Sequence, residues 1–276
     1  MKRLLIAGYG DIARRVASRL PEGDGLRALS RRSGHDFDRP LSLDASHVAD
    51  AVLHSAPPPA SGDTDPRTAN LLVALERAAI IPARIVYIST SGVYGDCGGA
   101  LVDESRPVNP QSARARRRVH AEQQLELWCN SRGVALLVLR APGIYAADRL
   151  PLERLRARTA VLCEADDVYS SHIHADDLAR ICLRALEDNA PPGVYNACDD
   201  THMKMGAWLE LVADRAGLPR PPRIARADAA GRIPPELLSF MSESRILDNA
   251  KLKRALGVRL CYPTVFDGVP RAKEIA

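Results

Sequence analysis

The sequence predicts an α/β fold: a doubly wound parallel sheet with a smaller C-terminal part. Three observations carry this. Short apolar runs alternate with segments of helical spacing along much of the chain. The first run, Leu4-Leu5-Ile6-Ala7, breaks into Gly8-Tyr9-Gly10-Asp11-Ile12-Ala13 and then into a helical pattern. The next run ends in Ser30-Arg31-Arg32.

This opening is a strand, a glycine turn, a helix and a second strand, the dinucleotide-holding unit of a Rossmann-type sheet. Gly8 permits the tight turn out of the strand. Gly10 lets the backbone approach a pyrophosphate, with which a Cβ would collide. Ala13 stands where a third glycine is common, and its methyl still allows close helix–strand packing. The helix start offers free N–H groups to the phosphates, which makes Gly8, Tyr9, Gly10, Asp11 and Ile12 candidate cofactor-binding residues. NAD binders usually place an acidic residue about 20 residues further on, where it accepts from the ribose hydroxyls. Ser30, Arg31 and Arg32 stand there instead. A carboxylate would repel a 2′-phosphate, whereas a guanidinium binds it bidentately. The sequence therefore points to NADP(H) in preference to NAD(H). The competing reading is a glycine turn in another α/β fold beside two solvated arginines.

The later elements follow in order. Leu26 to Ser30 reads as the second strand, and Ala51 to Ser55 as a short buried strand after a small helix capped by Asp44. Pro57-Pro58-Pro59 stops that strand. Thr68 to Ala79 has helical spacing at Leu71, Leu72 and Leu75. Arg84 to Ser89 is a β-branched strand, Ser112 to Ser131 a long helix closed by Gly133, and Val134 to Arg140 another strand. Ligands in such sheets bind beyond the carboxyl ends of the strands, so the informative loops follow Ala7, Ser30, Ser55, Ser89 and Arg140. Ser55, Ala56 and Pro57 join the cofactor candidates.

Composition narrows the class. The 276 residues suit one large α/β unit, and 46% hydrophobic with 26% charged residues supplies an ordinary core. A net charge of +4 is too small to argue for nucleic acid. The start Met1-Lys2-Arg3 precedes an apolar run too short for a signal peptide, since Asp11 and Arg14-Arg15 follow soon. No run is long enough to span a bilayer. The six cysteines, Cys97, Cys129, Cys163, Cys182, Cys198 and Cys261, form no CxxC pair and read as reduced thiols of a cytoplasmic protein without a metal site.

Further motifs carry a family resemblance. Ser89-Thr90-Ser91-Gly92-Val93-Tyr94-Gly95-Asp96 follows the fourth strand. With His54-Ser55-Ala56-Pro57, Leu139-Arg140-Ala141-Pro142-Gly143-Ile144-Tyr145, Ser171-His172-Ile173-His174-Ala175-Asp176-Asp177, Tyr195-Asn196-Ala197 and Asp248-Asn249-Ala250-Lys251, it resembles the extended short-chain dehydrogenase/reductases, the NAD-dependent epimerase/dehydratase family. The resemblance runs over almost the whole chain. It implies a single unit, with a dinucleotide-binding part at about residues 1–148 and 171–200 and a substrate-binding part at about 149–170 and 201–262. It adds Pro142, Gly143 and Ile144 to the cofactor side and Thr90, the family's Ser/Thr position, to both cofactor and catalytic candidates. The family's acid/base Tyr and its Lys, spaced YxxxK, would fall eight and four residues before Glu122; Arg114 and Arg118 stand there, so the pair is absent.

Residues 114, 118, 121, 125 and 128 share one helical stripe, and Ala121, Leu125 and Trp128 make it the core side, with Arg116 and Arg117 expected to point outward. Arg118 is then a candidate for cofactor ribose or phosphate, and Arg114 for an anionic or hydroxyl group of a substrate. Arginine does not release a proton near neutrality, so any proton transfer needs another group. Tyr94 is the catalytic candidate, with Tyr145 and His174 behind it; His174 with Asp176 and Asp177 also fits a hydrogen-bonded helix start. Arginines at 149, 154, 156, 158, 220, 223, 226, 232 and 245 read mostly as surface charge, Ser242-Glu243-Ser244-Arg245 being the best placed for a ligand. The resulting expectation is an NADP(H)-binding oxidoreductase or epimerase/dehydratase-like enzyme acting on a sugar-like or small carbonyl substrate, nucleotide-sugars included. The alternative is a non-catalytic NADP(H)-binding sensor of the same fold. The resemblance also implies a homodimer.

Overall fold

The computed structural model describes residues 3–21, 23 and 25–271; Met1 and Lys2 of the basic start lie outside them. The first half runs β1 (Arg3–Ala7), α1 (Asp11–Ala17), β2 (Gly25–Leu29), β3 (Ala51–His54), α2 (Pro66–Arg77), β4 (Arg84–Thr90), β5 (Leu101–Val102), α3 (Ala113–Arg132) and β6 (Ala135–Ala141). There follow β7 (Gly143–Tyr145), α4 (Leu152–Arg156), β8 (Val161–Leu162), β9 (Tyr169–Ser170), β10 (His172–His174), α5 (Ala175–Ala185) and β11 (Gly193–Asn196). The chain ends with β12 (Met203–Lys204), α6 (Met205–Ala216), β13 (Arg223–Ile224), α7 (Pro235–Phe240), β14 (Ile246–Leu247), α8 (Ala250–Leu256) and α9 (Val265–Gly268).

Six strands form the expected parallel sheet in the order β11-β6-β4-β3-β1-β2. Chain direction across the sheet reverses between β1 and β3, so the loops leaving these two strands part and open a crevice. Both faces are covered. Ile12, Val16 and Leu178 of α1 and α5 pack on one face with Ile6 and Leu53. Leu71, Leu75, Leu125 and Trp128 of α2 and α3 pack on the other with Leu5 and Val52. Each such buried aliphatic side chain is worth roughly 1.5–3 kcal/mol. A third cluster, including Leu155, Leu162, Trp208, Leu209, Ile224 and Met241, joins α4, α6 and the short strands after β6.

Local chemistry sets the element ends. Asp65 accepts from the N–H groups of Arg67 and Thr68, and Pro66 occupies the first turn. The helix therefore begins two residues before Thr68. Ser112 caps α3 by accepting from Ala115 N, and Gly133 closes it at φ +67°. Asp44 caps the expected short helical turn, Ala45–His47. One expectation is corrected. Arg117 is buried rather than outward, because the loop before α2 folds over α3 and its Gly62 carbonyl accepts from Arg117 Nη1 at 2.5 Å. His120 and Gln124 hold the same loop through the Asp65 backbone.

Candidate functional site

The crevice between β1 and β3 is built on a close backbone contact. Gly8 has φ +92°, and a Cβ there would lie 2.4 Å from Ala56 N. Ser55 Oγ donates to the Gly8 carbonyl at 2.6 Å, and Ser55 N and Ala56 N both donate to the Ala7 carbonyl. A Cβ on Gly10 would meet no atom within 4 Å, so this side of the turn faces open space. Ala13 and Ile12 are buried beneath it. The groove is lined by Gly8, Tyr9, Gly10, Ser30, Ser55, Ala56 and Pro57, together with Arg14, Arg31, Arg32 and Arg67. The Asp11 carboxylate is not free; it accepts from Arg15 at 3.1 Å and Arg149 at 2.9 Å.

Beyond β2, Ser30 caps a short turn over Arg31–Ser33. Arg32 is exposed and hydrogen-bonds no described residue. Arg31 pairs with Asp36 at 3.3 Å and Asp38 at 2.7 Å, and Asp38 also takes Arg67 at 2.6 Å. These hydrogen bonds, the one from Arg67 first, hold the Asp38 carboxyl below its ordinary range. No local signal marks this network, since Arg67 and Asp38 lie 29 residues apart. Arg67 is a groove residue that sequence reasoning missed.

A second cavity, of about 320 Å³, opens beyond β4 and β6. Thr90, Pro142, Gly143 and Ile144 line it, with Tyr145, His172 and Trp208. Thr90 Oγ1 accepts from Gly92 N at 3.3 Å, which leaves the hydroxyl hydrogen free. Arg114, Arg149, Arg154 and Arg245 contribute four guanidinium groups to the wall against one carboxylate, Glu243. Arg245 bonds Glu243 and the Gly95 carbonyl, each at 2.8 Å. The half-buried Arg114 stacks on Phe240 at 3.7 Å and hydrogen-bonds no described residue, and burial holds its pKa below the ordinary arginine value.

Of the other candidates, Tyr94, Arg118 and His174 lie away from this cavity. Tyr94 is buried, and its hydroxyl donates to Asn196 Oδ1 at 2.9 Å. It packs the loop rather than facing a ligand. Arg118 donates from Nη1 to the Tyr87 hydroxyl at 3.1 Å and the Ile88 carbonyl at 2.8 Å, bracing the back of β4. Tyr145 borders the cavity, but its hydroxyl meets the Thr264 carbonyl, and burial raises its pKa well above the ordinary value. His174 accepts from Asp176 N as the cap of α5, as its spacing with Asp176 suggests.

Two supports sit behind the site. Glu122 accepts from Ser89 Oγ at 2.5 Å and from Arg140 at 2.7 Å, both partners of the ion pair being almost fully buried. His54 Nε2 lies 2.8 Å from Thr68 Oγ1, which itself donates to Asp65. The histidine must therefore carry its proton on Nε2. Burial lowers the His54 pKa to about 4 and that of His172 to about 3, so both are neutral. Among the described residues no group of His, Cys, Asp and Glu could hold a metal ion. No described helix is long and apolar enough to cross a membrane.

The model of the NAD-dependent epimerase/dehydratase family matches residues 66–198. A functionally unknown conserved protein from Silicibacter pomeroyi DSS is 32% identical; the match covers 100% of this chain and 99% of that one, with a TM-score of 0.82. RMD from Pseudomonas aeruginosa, complexed with NADPH, is 20% identical over 100% of this chain and 99% of its own, with a TM-score of 0.76. The UDP-glucose 4-epimerase of Thermotoga maritima, with UDP-glucose, is 18% identical over 99% and 98%, with a TM-score of 0.74. No curated protein matches. The chain belongs to the NAD-dependent epimerase/dehydratase family.

Proposed function

We propose that this protein binds NADP(H) in the β1–β3 crevice and uses it in redox or epimerase/dehydratase-type chemistry on a small carbonyl or sugar-like molecule held against Thr90. The observation that carries the reading is the empty side of the Gly8–Gly10 turn, ringed by four arginines. Backbone N–H groups of residues 8 to 12 suit a pyrophosphate. Ser30, Arg31 and Arg32 suit the adenosine ribose and a 2′-phosphate, which would compete with Asp36 and Asp38 for Arg31. Ser55, Ala56 and Pro57 form the wall between, while Pro142, Gly143 and Ile144 border the nicotinamide end. Bound there, the coenzyme would supply or accept a hydride.

The chain's own part is polarisation. Thr90 has a hydroxyl hydrogen to donate and Arg114 has unused N–H donors, so both can stabilise charge growing on a carbonyl oxygen. Arg114 cannot deliver the proton, which comes from solvent in this reading. Arg118, already held by Tyr87 and Ile88, acts as a positioning residue for β4. One observation favours a binding-only protein: arginines stand at both positions of the family's Tyr–Lys pair. NADPH oxidation across a panel of small aldehydes, ketones and keto-sugars separates the two. The enzyme reading expects turnover that falls roughly 10- to 1000-fold in Thr90→Ala while NADPH still binds. Binding without turnover anywhere in the panel supports the sensor.

A further inference from the structure

Arg154 is the unexplained charge of the second cavity. It sits on α4 and lines the wall opposite no carboxylate of its own. Its guanidinium makes no hydrogen bond or ion pair to any described residue, and its Nε is buried without a partner. A charged group taken from water and left unpaired destabilises a fold. Most other arginines near the site do not carry that cost: Arg15, Arg31, Arg67, Arg140, Arg149 and Arg245 all have carboxylate partners. The cavity wall is also strongly positive, with a single carboxylate against its arginines. The same cavity is lined by Tyr145, His172 and Trp208, whose rings contact one another at 4.4–6.3 Å.

We infer that Arg154 binds an oxyanion, a carboxylate or phosphate, carried by the small molecule whose carbonyl meets Thr90. The inference rests on the functional reading above and narrows its substrate class to anionic compounds. The free N–H donors of a guanidinium match two oxygens of either group. The cavity is at the small end of ligand sites, in keeping with a sugar acid, keto acid or sugar phosphate. A neutral substrate would leave Arg154 as uncompensated as it is without one.

The test uses the full chain saturated with NADPH, titrated calorimetrically with inorganic phosphate, malonate and, as the uncharged comparison, glycerol. Phosphate or malonate should bind and glycerol should not, the preferred anion telling phosphate from carboxylate. Arg154→Met should weaken anion binding about 10- to 100-fold, since a charge-assisted hydrogen bond is lost. The same variant should melt roughly 2–4 °C higher than the parent, because an unpaired charge has been removed. Arg154→Lys, which keeps the charge, should restore part of the binding and guards against a misfolded Met variant. Anion binding unchanged in Arg154→Met, or absent from the parent, overturns the inference, as does a lowered melting temperature in both variants. Failure of NADPH itself to bind is read separately and speaks against the coenzyme assignment, not against Arg154.

Discussion

The β1–β3 groove and the cavity beyond β4 and β6 use the same residue type in opposite ways. In the groove, Arg31 and Arg67 share Asp38, so the charge is compensated before a ligand arrives. In the cavity, Arg114 and Arg154 hydrogen-bond no described residue and are half-buried. A compensated arginine is a conformationally held donor that an incoming anion must win from a carboxylate. An uncompensated one is a standing deficit that an anion relieves. The first arrangement suits discrimination between similar coenzymes, and the second suits a requirement for charge on the substrate.

The largest effect expected comes from turning a compensated arginine into an uncompensated one. Glu122→Gln removes the counter-charge of Arg140, whose side chain is only 8% exposed. The loss should be about 3–5 kcal/mol in urea unfolding. A much smaller loss would mean that unpaired guanidinium groups are cheap in this fold, and Arg154 would lose its significance.

Next in size is the acid response of the interior histidines, which stay neutral where the arginines stay charged. Their folded pKa values, about 4 for His54 and about 3 for His172, lie below the free value. The unfolded chain thus binds more protons in acid. Stability is complete above about pH 6.5 and falls as pH drops toward 4. At pH 5 each histidine should cost about 2 kcal/mol relative to pH 7.5. His54→Gln should remove about half of that difference in paired urea titrations. Equal slopes in variant and parent would place the acid sensitivity elsewhere.

The smallest effect sharpens the comparison within the groove. Asp38→Asn should free Arg31 and Arg67 for a phosphate and tighten NADPH binding by roughly two- to fivefold, the scale of an exposed ion pair. Weaker binding would show that Asp38 instead orients Arg31.

Much of the scaffold was legible because its signals are local. The glycine turn, the cap at Asp44, the start of the long helix near Ser112, the stop at Gly133 and the apolar strand runs all depend on residues a few positions apart. The stripe of Ala121, Leu125 and Trp128 is buried as its spacing requires. What the sequence hid was pairing at a distance. Nothing local marks Asp38 as the partner of Arg31 and Arg67, or the Gly62 carbonyl as the acceptor that draws Arg117 inward. Arg154 was invisible for a related reason. It is one of many arginines, and only the fold reveals that it alone among its neighbours on α4 lines the cavity without a partner. Tyr94 shows the reverse case, a motif residue whose side chain turns into the core.

The proposed roles of both sites depend on coenzyme binding. Side-by-side calorimetric titrations of the protein with NADPH and NADH, at one fixed low salt concentration, test it most directly. NADPH should bind about 10- to 100-fold more tightly, and Arg31→Glu should erase that advantage. Equal affinities would contradict the assignment of Arg31 and Arg32 to a 2′-phosphate, and no heat with either coenzyme would contradict the whole reading of the β1–β3 crevice.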